Sequence, residues 1–129
     1  MKRILIFFLF VLSVQGISAQ NAAGFFTMTS QKQFDCLYKA INETVKLLPS
    51  EQKKLFGLMN QSMTAQQDVA NSEQAKNNPS YVTTATQRQT LHIEGNMRNF
   101  LSAEKMAAFE KAKPAILERA AELRKKMGE

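Results

Sequence analysis

The side chains that could carry out covalent or metal chemistry are few in this chain. It contains one cysteine, Cys36, and one histidine, His92, among 129 residues. A cysteine nucleophile needs a base within hydrogen-bonding reach, and nothing in the sequence places His92 beside Cys36. One imidazole with scattered carboxylates also falls short of the four ligands of a typical zinc site. The sequence therefore predicts a protein without enzymatic activity, metal or cofactor.

Cys36 is open to two interpretations. It lies on the opposite side of the first predicted helix from the main apolar stripe, where it could be buried at a second, smaller contact. An odd cysteine in an oxidising compartment could instead form an intermolecular disulfide. His92 lies off the apolar stripe of its own segment, so we expect it on the surface.

Residues 1–19 have the three parts of a secretory signal peptide. Lys2 and Arg3 form a basic start, residues 4–14 an apolar run, and residues 17–19 a cleavage site with small residues. The run is shorter than the roughly 20 apolar residues that cross a membrane as a helix. We expect a mature chain without a transmembrane segment, either in the periplasm of a Gram-negative bacterium or secreted from a eukaryotic cell.

The mature sequence is rich in helix-forming residues and poor in β-branched ones, which predicts an all-α fold. Residues 20–29 lack periodicity and are expected to form a flexible N-terminal arm, although Phe25 and Phe26 could pack on something. Residues 30–129 are then a single helical domain, because the large apolar side chains suffice for only one small core.

Four helices follow from the apolar spacing and from residues that begin or end helices. The first would begin at Ser30, where Gln33 completes a capping box that satisfies free backbone donors reciprocally. Pro49 would end this first helix. Ser50 could then cap the second.

The second half of the chain is less certain in one segment. A polar cluster before Pro79 predicts a turn or loop. Residues 82–100 fit a helix but also alternate like a strand, and we favour the helix because a lone hairpin is only marginally stable. Ser102 would cap the last helix, and Pro114 predicts a kink within it.

The sequence repeats itself weakly at two of these helix starts. Residues 48–56 and 101–109 both begin with leucine, have glutamate at the fourth position and end with phenylalanine. Glutamate in a first helical turn is favoured by the helix dipole. The repeat is defined by Leu48, Glu51 and Gln52 in the first copy and by Leu101, Ser102 and Glu104 in the second.

These segments resemble the repeated leucine-threonine-x-x-glutamine (LTXXQ) motif of the Spy/CpxP family of periplasmic proteins. Leu48 and Gln52 match the first copy, where proline replaces the threonine. Leu101 and Ser102 fit the second, where lysine replaces the glutamine. The resemblance implies four helices in an extended helical hairpin, a dimeric cradle, and ATP-independent chaperone or envelope-stress activity. Some family members bind zinc through several histidines, which this chain lacks.

A chaperone needs a surface that accepts varied unfolded proteins. Methionine side chains are flexible enough for this, so four of them either belong to the core or contact clients: Met59, Met63, Met97 and Met106. The net charge is +6, and a ring of lysine and arginine around an apolar patch would attract chains reversibly. Nucleic acid is not expected as a partner, because the chain is predicted to be secreted and its basic residues are not interleaved with aromatic ones.

Two functions remain after these exclusions. The first is a periplasmic, chaperone-like or envelope-stress protein that binds unfolded clients on a helical surface. The second is a secreted helical adaptor, inhibitor or structural subunit that docks one defined protein partner. For the first function we expect a non-covalent homodimer, because large apolar side chains are few for a chain that is extended rather than globular. A compact four-helix monomer would instead favour the second function.

Overall fold

The computed structural model describes residues 24–128, so the predicted signal peptide and the predicted mature N-terminus lie outside the described residues. The described chain contains no strand, which confirms the all-α fold. Its helices are α1 (Gln31–Thr44), α2 (Pro49–Ala70), α3 (Glu73–Asn77), α4 (Pro79–Met97) and α5 (Ala103–Lys126).

The helices form two antiparallel pairs. Helix α1 packs mainly on α5, and α2 packs mainly on α4. The first pair is tied at both ends, because Arg119 Nε lies 2.7 Å from Glu43 Oε2 and Lys32 Nζ lies 3.5 Å from the carbonyl of Met127. Helix α4 confirms the helical interpretation of residues 82–100, while the short α3 was not predicted and lies within the polar connection.

The start of α1 follows the predicted capping residues with one change. Ser30 Oγ accepts a hydrogen bond from the Gln33 N–H at 3.2 Å, as expected for a helix N-cap. The Gln33 side chain reaches one residue further back than predicted, where its Oε1 accepts from the Thr29 N–H at 2.7 Å. The helix ends at Thr44 rather than at Pro49, and Val45 is already in extended backbone.

The start of α2 differs from the prediction that Ser50 caps it. Pro49 is the first helical residue, a position that suits proline because its missing N–H would have no partner there. Leu48 is the N-cap, and Glu51 Oε1 accepts its N–H at 2.8 Å. Ser102 does cap α5, with Oγ 3.1 Å from the Lys105 N–H, and α5 continues through Pro114.

Residues 24–28, which we call the strap, cross the helices in an irregular conformation and complete the core. Phe26 and Met28 are fully buried, and Phe25 nearly so. The Phe25 and Phe26 rings lie 5.3 Å and 6.0 Å from the ring of Phe109 in α5. From Gly24 onward the expected flexible arm is therefore part of the core, because its two aromatic rings and its methionine fill space between α2, α4 and α5.

Candidate functional site

The two copies of the sequence repeat come together in the structure. Glu51, near the start of α2, forms an ion pair with Lys105, near the start of α5, with Nζ 2.7 Å from Oε1. Glu51 is largely buried, and Lys105 occupies the position where the LTXXQ motif has glutamine. The repeat thus forms one junction that joins two helix starts from distant parts of the sequence.

The leucines of the repeat do not play equal parts in this junction. Leu101 is buried in the core, as expected for a residue that fills the space between two helices. Leu48, by contrast, is 57% exposed and fills no such space. Its neighbour Leu47 packs partly against the core instead, and the Leu47 carbonyl accepts a hydrogen bond from Gln52 Nε2 at 3.2 Å.

Of the remaining repeat residues, Ser102 and Glu104 are exposed at the start of α5, where Ser102 acts as the helix cap. Hydrogen bonds from Lys105 and from the Leu48 N–H lower the pKa of Glu51 below its ordinary value, since both stabilise the charged carboxylate. The junction therefore joins the two helix starts through a charged pair.

The four methionines considered as client contacts all lie in the core. Met59, Met63, Met97 and Met106 are each less than one-tenth exposed. Met59 and Met63 lie on α2, Met97 on α4 and Met106 on α5, and all four belong to one hydrophobic core cluster. The structure therefore gives them a packing role and leaves them no surface to offer a client.

Cys36 and His92 are not brought together. Cys36 is buried on α1, and its Sγ lies 3.4 Å from Met127 Sδ at the end of α5. This burial agrees with the second-contact interpretation and opposes a disulfide between copies, which needs an accessible sulfur. His92 is exposed on α4, as predicted.

A shallow cleft on the outer side of the α2–α4 pair, which we call the outer groove, has a volume of about 400 Å³. Its apolar floor is formed by Leu58 and Phe100, both half-buried. The exposed Lys53 and Lys54 lie along it, and Lys54 Nζ is 5.7 Å from the centre of the Phe100 ring. No carboxylate of the described chain lines this cleft, whose members are Lys53, Lys54, Gly57, Leu58, Gln61, Asn96, Asn99 and Phe100.

This groove was not predicted from the sequence. A signal was present, because Lys53, Lys54, Gly57 and Leu58 share one helical face at spacings of one turn. Two lysines on the same face as a leucine indicate an exposed apolar patch with a basic edge. Which residues of α4 lie opposite that face could not be read from the sequence.

A second cleft of about 500 Å³ lies between α4 and α5 beside the strap. Lys113 forms ion pairs there with Glu94 and Glu110, and its Nζ lies 5.5 Å from the centre of the Phe25 ring. Burial favours the neutral amine, but hydrogen bonds to Glu94 and Glu110 outweigh it and raise the pKa of Lys113. Because Lys113 contacts all three partners, it ties the strap to α4 and α5.

The described residues contain no cluster of histidine, cysteine and carboxylate side chains that could hold a metal ion. Within the same part of the chain, every helix is too short or too polar to span a bilayer. No protein-family model, curated protein or solved structure matches the sequence or the fold.

Proposed function

We propose that this protein is a periplasmic, ATP-independent chaperone-like protein that binds unfolded polypeptides reversibly in the outer groove. The observation that carries the proposal is the composition of that groove. It combines an apolar floor of Leu58 and Phe100 with Lys53 and Lys54, and neither lysine forms an ion pair within the described residues.

This arrangement suits weak and varied binding. Unfolded chains expose apolar side chains that can lie on Leu58 and Phe100, while the lysines attract carboxylates from a distance and raise the rate of encounter. The cleft is shallow, so it encloses no ligand completely and favours release. The neutral amides of Gln61, Asn96 and Asn99 add donors and acceptors that fit any peptide backbone.

The resemblance to the Spy/CpxP family supports the same proposal from the sequence. Its motif residues fall at one junction, and the ion pair between Glu51 and Lys105 links the two copies. The predicted signal peptide supports an envelope location.

An aggregation assay tests the proposal. Several unrelated proteins are diluted from denaturant with and without the purified protein, and light scattering follows their aggregation. We expect the protein to suppress aggregation of most of them, and we expect Lys53→Glu with Lys54→Glu to remove most of that suppression. The control is Lys125→Glu with Lys126→Glu, which makes the same charge change on exposed residues at the end of α5.

Two results would contradict the proposal. Failure of the unaltered protein to delay aggregation of any client would exclude chaperone activity. Equal loss in both double variants would show that net charge matters and the outer groove does not.

The alternative function, docking of one defined partner, is favoured by a different surface. Phe56 is 46% exposed, yet its ring is held edge-on by Phe34 and Tyr38 at 5.3 and 5.4 Å. An ordered, exposed aromatic ring is a common anchor in protein interfaces. This function would be favoured if the protein captures a single partner and Phe56→Ala abolishes the capture. The control Leu91→Ala, on the exposed face of α4, should leave the capture intact.

A further inference from the structure

The end of α5 brings two sulfur atoms into contact. Cys36 lies on α1, and Met127 directly follows the last residue of α5. The Cys36 Sγ lies 3.4 Å from the Met127 Sδ, so the thiol donates a weak hydrogen bond to the thioether. Cys36 is 2% exposed, whereas Met127 is 50% exposed. The thioether therefore forms part of the cover over the thiol, and solvent reaches the thioether first.

Met127 also differs from the other methionines of the described chain. Each of those is at most 7% exposed and belongs to the hydrophobic core. Oxidation of methionine requires contact between the sulfur and the oxidant, so exposure decides which methionine reacts. A peroxide in solution should therefore oxidise Met127 before any other methionine that the structure describes.

Hydrogen peroxide converts a thioether to a sulfoxide by oxygen transfer. A lone pair of the Met127 Sδ forms the new sulfur–oxygen bond as the oxygen–oxygen bond breaks, and the departing hydroxide takes up the proton of the transferred hydroxyl group to become water. The sulfur loses two electrons and the peroxide gains them. The side chain changes from apolar to polar, and it returns to the thioether when a methionine sulfoxide reductase reduces it.

A sulfoxide does not fit well in the contact with Cys36. A thiol is only a weak hydrogen-bond donor, and a polar group that is buried without a strong partner is disfavoured. The main chain of Met127 is fixed by hydrogen bonds from its N–H to the carbonyls of Leu123 and Arg124, but these bonds leave the side chain able to rotate. Because this side chain is already half exposed, the sulfoxide gains solvation by turning outward.

We propose that Met127 is an oxidation site that controls access to Cys36. Reduced Met127 covers the thiol, whereas the sulfoxide of Met127 turns into solvent and uncovers it. The protein then presents a reactive thiol only after it has met an oxidant. The proposal requires neither a second copy nor a client, so it is independent of the outer groove.

Thiol labelling tests the proposal on the unaltered protein. The protein is treated with hydrogen peroxide, the peroxide is removed, and the remaining Cys36 thiol is alkylated with N-ethylmaleimide. Mass spectrometry measures the alkylation rate and verifies the sulfoxide of Met127. We expect the alkylation rate to rise about tenfold after oxidation, because an unsatisfied buried polar group disfavours the covered state by at least that factor. An equal rate before and after oxidation of Met127 would overturn the proposal.

Two variants at Met127 separate oxidation of this residue from other effects of peroxide. Met127→Leu keeps an apolar side chain of similar volume, so Cys36 should react slowly both before and after peroxide. Met127→Gln places a polar group of similar length there, so Cys36 should react about tenfold faster than in the unaltered protein without any peroxide. A Met127→Leu variant that responds to peroxide like the unaltered protein would also contradict the proposal.

Discussion

Gly24 is the residue at which the strap tolerates least change. Its φ is +94°, and a β-carbon would approach Thr90 Oγ1 and the Thr86 carbonyl more closely than atoms can. Strain of this kind costs of order 1–3 kcal/mol, so we expect Gly24→Ala to lower the free energy of unfolding by about that amount in a urea titration. Gly57→Ala is the control, because a β-carbon there meets nothing within 4 Å. Alanine in a helix should stabilise the fold by roughly 0.5–1 kcal/mol.

Gln66 is the second residue on which the strap depends. Gln66→Ala would leave the Phe26 carbonyl and the Met28 N–H buried without their partners. We expect the free energy of unfolding to fall by roughly 2–4 kcal/mol, since each unsatisfied buried group costs about 1–3 kcal/mol. Gln61→Ala, at an exposed position on the same helix, should change stability by less than about 0.5 kcal/mol. Equal unfolding midpoints for Gln66→Ala and Gln61→Ala would show that the strap is not held through its main chain.

The sequence predicts these single-residue roles poorly. Gln66 lies 38 and 40 residues from its partners in the strap, and Thr90 lies 64 residues from Phe26. Periodicity reports which face of a helix is apolar, but it does not report that a buried glutamine on that face binds an irregular segment. The strap itself has no period, so the sequence indicated that Phe25 and Phe26 could pack but did not indicate which helices they pack against.

At the scale of the helices, the repeat predicts a junction but not the part of each residue in it. Leu101→Ala removes a buried side chain and should cost roughly 2–5 kcal/mol. Leu48→Ala changes an exposed side chain and should cost less than about 0.5 kcal/mol. Thermal unfolding of the two variants measures the difference. Similar losses of stability in Leu48→Ala and Leu101→Ala would mean that Leu48 is covered in solution, which a dimer would explain.

The ion pair that joins α2 and α5 makes the junction sensitive to acid. The pKa of Glu51 is lowered from its ordinary 4.5 by the hydrogen bonds from Lys105 and from the Leu48 N–H. The folded chain thus binds this proton less readily than the unfolded chain, and the pair stabilises the fold above the ordinary pKa. This contribution is lost as the pH falls through the lower, folded-state pKa.

We therefore expect Glu51→Gln to lower the melting temperature at neutral pH, and we expect its difference from the unaltered protein to shrink in acid. Melting curves recorded between about pH 7 and pH 3 measure this, a range that spans the ordinary pKa of glutamate. Glu104→Gln changes the equivalent, exposed position of the second copy, and its melting temperature should differ less from that of the unaltered protein at every pH. A Glu51→Gln deficit that does not change with pH would show that the Glu51 charge is unimportant.

Helix starts that depend on a single capping side chain were predicted correctly from the neighbouring residues. Ser30 and Ser102 cap their helices as expected, because the signal for a cap lies within four residues. The start of α2 was misplaced by two residues, since Pro49 can begin a helix as well as end one, and the Glu51 carboxylate accepts the Leu48 N–H. The short α3 was missed because its five residues, four polar ones and an alanine, have no apolar stripe.

At the scale of the whole molecule, the α2–α4 pair has two faces with different roles. The inner face holds a peptide backbone through Gln66 and Thr90, and the outer face presents Leu58 and Phe100 beside two lysines. The strap covers the inner face, whereas the outer groove stays open to a client.

The outer groove should capture clients at a rate that depends on salt. Lys53 and Lys54 act on approaching carboxylates over the Debye length, which falls from about 10 Å at 0.1 M salt to about 3 Å at 1 M. We expect the association rate of a fluorescent, unfolded, acidic client, measured by stopped flow, to fall steeply over this range. For the Lys53→Glu, Lys54→Glu double variant, the association rate should be lower at about 0.1 M salt and vary little with salt. The Lys125→Glu, Lys126→Glu control should keep most of the salt dependence of its association rate. Salt-independent capture by the unaltered protein would mean that the apolar floor alone binds clients, and the lysines would then have no part in the proposed activity.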